Sequence, residues 1–352
     1  NDLLYDQRMQ KICNSLSING YDVKLIGRYK INTANLQNVS YATKRIKCFM
    51  NKGKFFYLEY NIRLFFYLLF TKQDILSAID CDTLWANYFV SRLKRKPLVY
   101  DAHELFSEVP EVIDRPKVQK FWKYTEQKLI PKTTARYTVC KSIANHFESI
   151  HNAPFNVVMN APVFKDNIAI SPVIEKDFIL YQGALNEGRG LENLLIAMQQ
   201  INSTLVIIGE GDISLKLKNM VKDLKIEDKV KFKGYLPPNE MLKYTQSAKI
   251  GINVSENKGL SYYYSLNNKF FDYIHCGLPA ITNNFPEYKA LNDQFNVGLL
   301  CEPEPKDMIE KINQLLQDAI LYGNLEENCL LAARTLNWQA EEKKLIAIYD
   351  SI

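Results

Sequence analysis

From Tyr21 onward, short apolar runs alternate with longer stretches of helical period, and this alternation leaves few folds open. A helix between two strand-like runs carries the chain back to the end of the sheet where the previous strand began, which makes the strands parallel and lets helices cover both faces. In the first half, Tyr21–Leu25, Ile75–Ala78, Pro97–Tyr100 and Tyr137–Val139 read as strands, and Asp6–Asn19 and Thr83–Leu93 as helices. Asn19-Gly20 closes the first helix. A stretch bearing Pro154, Pro162 and Pro172 reads as a linker. Beyond it the strands Asp177–Gln182, Thr204–Ile208, Val230–Phe232, Ile250–Val254 and Pro279–Thr282 alternate with helices at Leu191–Gln200, Ser214–Leu224, Asn239–Ser247, Lys269–His275 and Met308–Ala319. A last amphipathic helix, Trp338–Ile352, carries Trp338, Leu345, Ile348 and Tyr349 as its apolar positions.

The expectation is an α/β chain of two doubly wound domains facing a cleft, over residues 1–165 and 175–336, with 337–352 crossing back to the first domain. The abrupt opening at Asn1-Asp2 suggests that the first strand is missing. Lys and Arg exceed Asp and Glu by 44 to 39, a net of +5, which suits an anionic small molecule or membrane surface better than a nucleic acid. Seven scattered cysteines form no C-x-x-C pair and no metal spacing, so a reducing, cytoplasmic setting is expected. Neither a secretory leader nor a membrane-spanning helix is expected, since no run of about 18 uninterrupted apolar residues is found.

Two segments have the makings of an anion site. Gly183, Gly188 and Gly190 lie in a loop between a strand and the helix that opens at Leu191, where glycines admit an anion to the backbone and helix N–H groups stabilise it. Arg189 in that loop supplies a fork of charged donors. The second segment, Asn267 to His275, opens another helix with Asn268 and Lys269 at its positive end and Asp272 one turn in, where a carboxylate can accept ribose hydroxyls. His103 follows the strand-like LVYDA, at a strand end, flanked by Asp101 and Glu104 that can orient it or contact an acceptor. Asp80-Cys81-Asp82 precedes a helix and reads as capping rather than as a metal site. Lys44 to Phe70 mixes basic and bulky apolar residues, as either an interfacial membrane segment or a buried helix pair with a basic edge.

The loop Gly183–Gly190, Gly209-Glu-Gly211, Phe232-Lys-Gly-Tyr235 and Asn268–Pro279, in that order, resemble the donor half of family 4 retaining glycosyltransferases. Tyr5-Asp-Gln-Arg8, Tyr100–Glu104 and the final Trp-bearing helix extend the resemblance over nearly the whole chain. It implies a GT-B fold and retention of anomeric configuration. A nucleotide-sugar donor, UDP- or GDP-linked, would bind as substrate, with neither metal nor other cofactor. It also implies that Arg189 neutralises the diphosphate, that Gly234 and Tyr235 frame the base, and that Asp272 replaces the family's ribose-binding glutamate. His103 would belong to the active site. The family's paired glutamates are not matched: Tyr264 stands where the first is expected, and Glu256 is taken as its substitute. Ala184 stands where the family has a basic residue, for which Lys269 compensates. The implied acceptor is a glycan, a lipid-linked sugar or another hydroxyl, met in the cytoplasm or at the inner face of the membrane. A nucleotide-sugar epimerase of the same fold and a non-catalytic nucleotide-sugar-binding subunit are the alternatives.

Overall fold

The computed structural model describes residues 3, 6–30, 39–166 and 177–352, so Tyr5 and Pro172 lie outside it. The chain divides into two compact units, Asn1–Asn160 with Gln339–Ile352, and Ala161–Trp338.

In the first unit, helix Gln7–Ile18 starts at Asp6, whose carboxylate accepts the Met9 N–H at 3.1 Å. Strand β1 (Lys24–Arg28) pairs in parallel with β2 (Ala42–Ile46). β1 begins later than the YDVKL run suggests because the Tyr21 N–H is taken by the Leu16 carbonyl, which keeps this stretch in the helix C-terminus. Strands β3 (Leu76–Ile79), β4 (Leu98–Ala102), β5 (Ala135–Thr138) and β6 (Asn156–Val157) form a parallel sheet in that order. Every residue of β4 is buried, as a central strand covered on both faces requires. Lys44 to Phe70 is not a helix pair: it holds the end of β2 and a single helix, Gly53–Phe70. Helix Trp338–Asp350 closes the unit's core with Leu345, Ile348 and Tyr349, and the Tyr349 hydroxyl lies 3.2 Å from that of Ser77.

The second unit is built on β7 (Ile179–Gln182), β8 (Leu205–Ile208), β9 (Val230–Gly234), β10 (Ile250–Asn253), β11 (Ala280–Asn283) and β12 (Gly298–Cys301). Their spatial order is β12-β11-β10-β7-β8-β9, all parallel. The order reverses between β7 and β10, so the connections leave to opposite sides and open a crevice at the carboxyl ends of these two strands. One packing event fixes what stands there. Gly251 in β10 leaves room for the Tyr273 ring: a Cβ at Gly251 would lie 2.5 Å from it. The ring is fully buried, and its hydroxyl donates toward the carbonyls of Leu180 in β7 and Ile252 in β10, at 3.3 and 3.2 Å. Helix Asn268–His275 is thereby seated over the switch point.

Gly251→Ala overpacks this contact and is expected to destabilise the protein by about 2 kcal/mol. A melting temperature equal to wild type would show that Tyr273 does not depend on the gap.

Candidate functional site

The loop after β7 is shaped by close backbone contacts. Gly209, just past β8, has φ +137° and passes so near the loop that a Cβ there would lie 1.9 Å from the Gly183 carbonyl oxygen. Gly190 has φ +68° at the start of helix Leu191–Met198, and a Cβ would meet the Val254 carbonyl beyond β10 at 3.1 Å. The Glu256 N–H donates to the Gly188 carbonyl at 2.8 Å, and Lys258 bridges Glu187 and Glu256 at 2.6 and 3.3 Å. The loops after β7 and β10 are thus stitched together across the switch point.

The sequence-read residues Gly183, Arg189, Lys269 and Asp272 come together here. Lys269 Nζ lies 3.7 Å from the centroid of the Tyr181 ring, beside Gly183. The Arg189 guanidinium stands over the Tyr262 ring at 4.4 Å. Asp272 accepts from the Gln182 side-chain amide at 3.0 Å, and Gln182 in turn accepts from the Thr245 hydroxyl at 2.7 Å. This relay fixes the Asp272 carboxyl at the end of β7. Among the described residues neither Arg189 nor Lys269 has a carboxylate partner; each rests on an aromatic face. Burial, followed by the nearby charge of Arg189, pushes the Lys269 ammonium well below the ordinary lysine value. Arg189 and Lys269 flank the amino ends of two helices, so an anion there would be stabilised and would favour the charged form of Lys269.

The remaining residues take other places. Glu256 lies against the glycine loop, with its carboxylate 3.3 Å from the Lys258 ammonium. Gly234 ends β9, and Tyr235 beyond it is 59% exposed. Asn268 is the exposed first residue of its helix. Tyr181, Tyr262, Gln182 and Tyr273, which support the cations and Asp272, escaped sequence reasoning, because their roles arise only when β7 and β10 lie side by side.

In the first unit, His103 stands just past β4 with both ring nitrogens facing carboxylates: Nε2 is 3.1 Å from Asp101 and Nδ1 is 3.8 Å from Asp80. Asp101 is fully buried and paired with the equally buried Arg8 at 2.9 Å, while Arg8 also donates to the Val158 carbonyl at 2.8 Å. Asp80 does not cap the following helix as its position suggests. Its carboxylate accepts the His103 backbone N–H at 2.8 Å, because β3 and β4 are neighbours and end together. Burial alone would raise Asp101, but Arg8 and then His103 hold it down at about 2. Burial alone would lower His103, but Asp101 and then Asp80 hold it up at about 9, so the ring is an imidazolium at neutral pH. Burial raises the Asp80 and Asp82 carboxyls. Glu104 is exposed beside the ring.

Residues 164–331 match the family described as glycosyl transferases group 1. An uncharacterized glycosyltransferase of Haemophilus influenzae is 28% identical over 166 residues, 45% of this chain and 44% of that protein. The N-acetyl-alpha-D-glucosaminyl L-malate synthase of Bacillus anthracis is 23% identical over 154 residues, 44% of this chain and 38% of that one. The chain therefore spans less than half the length of these curated relatives. Among solved structures, sucrose-phosphate synthase from Thermosynechococcus elongatus superposes with a TM-score of 0.83 at 16% identity, over 97% of this chain and 92% of that one. Anabaena HepE in complex with UDP and glucose gives 0.78 at 13% identity, over 99% and 96%. The lipopolysaccharide-biosynthesis glycosyltransferase WaaG gives 0.69 at 14% identity, over 97% and 95%. The fold is GT-B, with two Rossmann-like units.

The His103 network makes a pH prediction. Its folded pKa is raised from 6.5 to about 9, so its stabilisation is complete below 6.5 and lost as pH rises through 9. Between these values wild-type stability is expected to fall more steeply than that of His103→Gln. Parallel denaturation midpoints across this window would remove the ring's charge from the network.

Proposed function

We propose that the protein is a retaining glycosyltransferase that moves a sugar from a nucleoside-diphosphate sugar, UDP- or GDP-linked, to a glycan, lipid-linked or other hydroxyl acceptor. The observation that carries this reading is the pair Arg189 and Lys269, two cations without a carboxylate partner among the described residues, at the switch point of the second unit's sheet. A diphosphate supplies the missing negative charge. The match of residues 164–331 to the group 1 glycosyl transferases supports the same reading, as does the likeness in fold to HepE, solved with UDP and glucose.

In this reading the glycosidic bond between the sugar and the diphosphate breaks while Arg189, Lys269 and the two helix amino ends stabilise the departing charge. Asp272, fixed by Gln182, accepts the ribose hydroxyls, and Tyr235 with Gly234 frames the base. The acceptor oxygen bonds to the same face of the sugar, and its proton passes to the departing phosphate oxygen. Arg189, Lys269 and the helix amino ends take the part that a divalent metal would otherwise play. His103, held in place by the buried Asp101, acts on the acceptor side beside Glu104 through its charge rather than as a base, since its ring is already protonated. The protein works in the cytoplasm, at the inner face of a membrane that it touches through Lys44 to Phe70.

A panel of UDP-, GDP-, ADP- and TDP-sugars, screened by mass spectrometry with and without EDTA, tests the reaction. Slow release of nucleoside diphosphate that persists in EDTA is expected, and binding to no member would overturn the reading. Arg189→Ala is expected to weaken binding by roughly 1.5–3 kcal/mol, the worth of hydrogen bonds to a charged group. Unchanged affinity would take Arg189 out of the site. Diphosphate favours the charged form of Lys269, so over the pH range in which the unliganded lysine loses its proton binding is expected to take up a proton and affinity to fall as pH rises. Calorimetry in buffers of different ionisation enthalpy reads that uptake directly, and Lys269→Met is expected to abolish it.

A further inference from the structure

Helix Gly53–Phe70 buries Tyr60, Leu64 and Leu68 and turns Phe55, Leu58, Ile62, Phe66 and Phe70 outward on the opposite face. These five positions follow the 3–4 spacing of one helix face, so they form a continuous apolar stripe rather than scattered exposures. The neighbouring helix, Leu84–Lys94, adds exposed Phe89 and Leu93. Lys94 holds the two together by donating to the Leu68 and Thr71 carbonyls at the end of the first helix. At the other end of the stripe, Phe49 is 81% exposed and Met50 also faces outward.

Charge identifies what this face meets. Residues 42–72 contain seven lysines and arginines against one acid, a net of +6 that exceeds the +5 of the whole chain. Residues 84–96 contain no acid at all. The single acid, Glu59, is engaged within the chain: its carboxylate accepts the N–H groups of Phe49 and Met50 at 2.8 to 3.0 Å and pairs with Arg63 at 2.8 Å. The one group that would repel an anionic surface is thereby spent on holding the loop that presents two bulky apolar side chains. Lys44, Lys47, Lys52 and Lys54 remain exposed around the stripe. No helix among the described residues is long and apolar enough to cross a membrane.

We infer that this face is a docking surface for an anionic lipid bilayer. The stripe with Phe49 and Met50 enters the acyl boundary, and the surrounding lysines meet the headgroups. The inference deepens the membrane contact proposed above by assigning it to these side chains and to anionic lipid. It does not depend on the transferase chemistry.

Co-sedimentation of the whole protein with phosphatidylcholine vesicles, with and without phosphatidylglycerol, tests it. Binding is expected only with phosphatidylglycerol and is expected to weaken as salt is raised, because the headgroup attraction is screened. Phe55→Ser combined with Phe66→Ser is expected to weaken binding at least about tenfold through lost apolar burial. Lys52→Glu with Lys54→Glu is expected to do so through charge. Binding of UDP and GDP, measured on the same variants, is expected to match wild type, which separates a failure here from a failure of the donor reading. No binding to phosphatidylglycerol vesicles, or undiminished binding by the variants, overturns the inference. So does a concentration-dependent dimer that the Phe variants abolish, since the face would then meet a second copy.

Discussion

The first unit is organised around one buried ion pair. Arg8 and Asp101 sit almost fully out of water, 2.9 Å apart, and join the first helix to the central strand β4. Such a pair adds little net stability compared with apolar side chains, but losing either member strands a charge at a cost of about 3–5 kcal/mol. Its value lies in what it forces. Because Arg8 keeps Asp101 ionised, Asp101 can hold His103 protonated, and Asp80 fixes the same residue from β3. The position and the charge of the ring are thus set by a helix and two strands.

The second unit treats charge in the opposite way. Arg189 and Lys269 are brought together by backbone contacts and by the seating of Tyr273, yet they rest on aromatic rings instead of carboxylates. Around His103 positive charge is balanced by carboxylates of the same unit; at Arg189 and Lys269 the proposed diphosphate would supply the balance. Where both partners belong to the chain, the arrangement is rigid support. Where one is absent, the folded protein holds like charges close at a cost that the proposed diphosphate would offset.

The sequence made the alternation of strands and helices legible because each element is short and its period is local. The glycine loop and the helix openings at Leu191 and Asn268 were readable for the same reason. What stayed hidden depends on distant residues. Arg8 and Asp101 are 93 positions apart, and no local rule pairs them. Asp80 resembled a cap because it precedes a helix, and only the adjacency of β3 and β4 turns it toward His103. β2 was missed because Lys44 and Arg45 dilute its apolar signal on an exposed edge. Helix Gly53–Phe70 is apolar nearly all round, so its sequence did not say which face is covered; packing of Tyr60, Leu64 and Leu68 decides that.

From Gln339 onward, helix Trp338–Asp350 belongs to the first unit, although the second unit lies between it and the rest of that unit in the chain. Glu341 receives the Met159 N–H at 2.8 Å, and Leu345, Ile348 and Tyr349 are part of the buried interior. On the ribosome these residues emerge only after the entire second unit has been made. The second unit can complete its sheet during synthesis, whereas the first must wait with an open flank, although its residues came first. Order of translation and order of completion are therefore reversed, and the early-made half is the one exposed longest to aggregation.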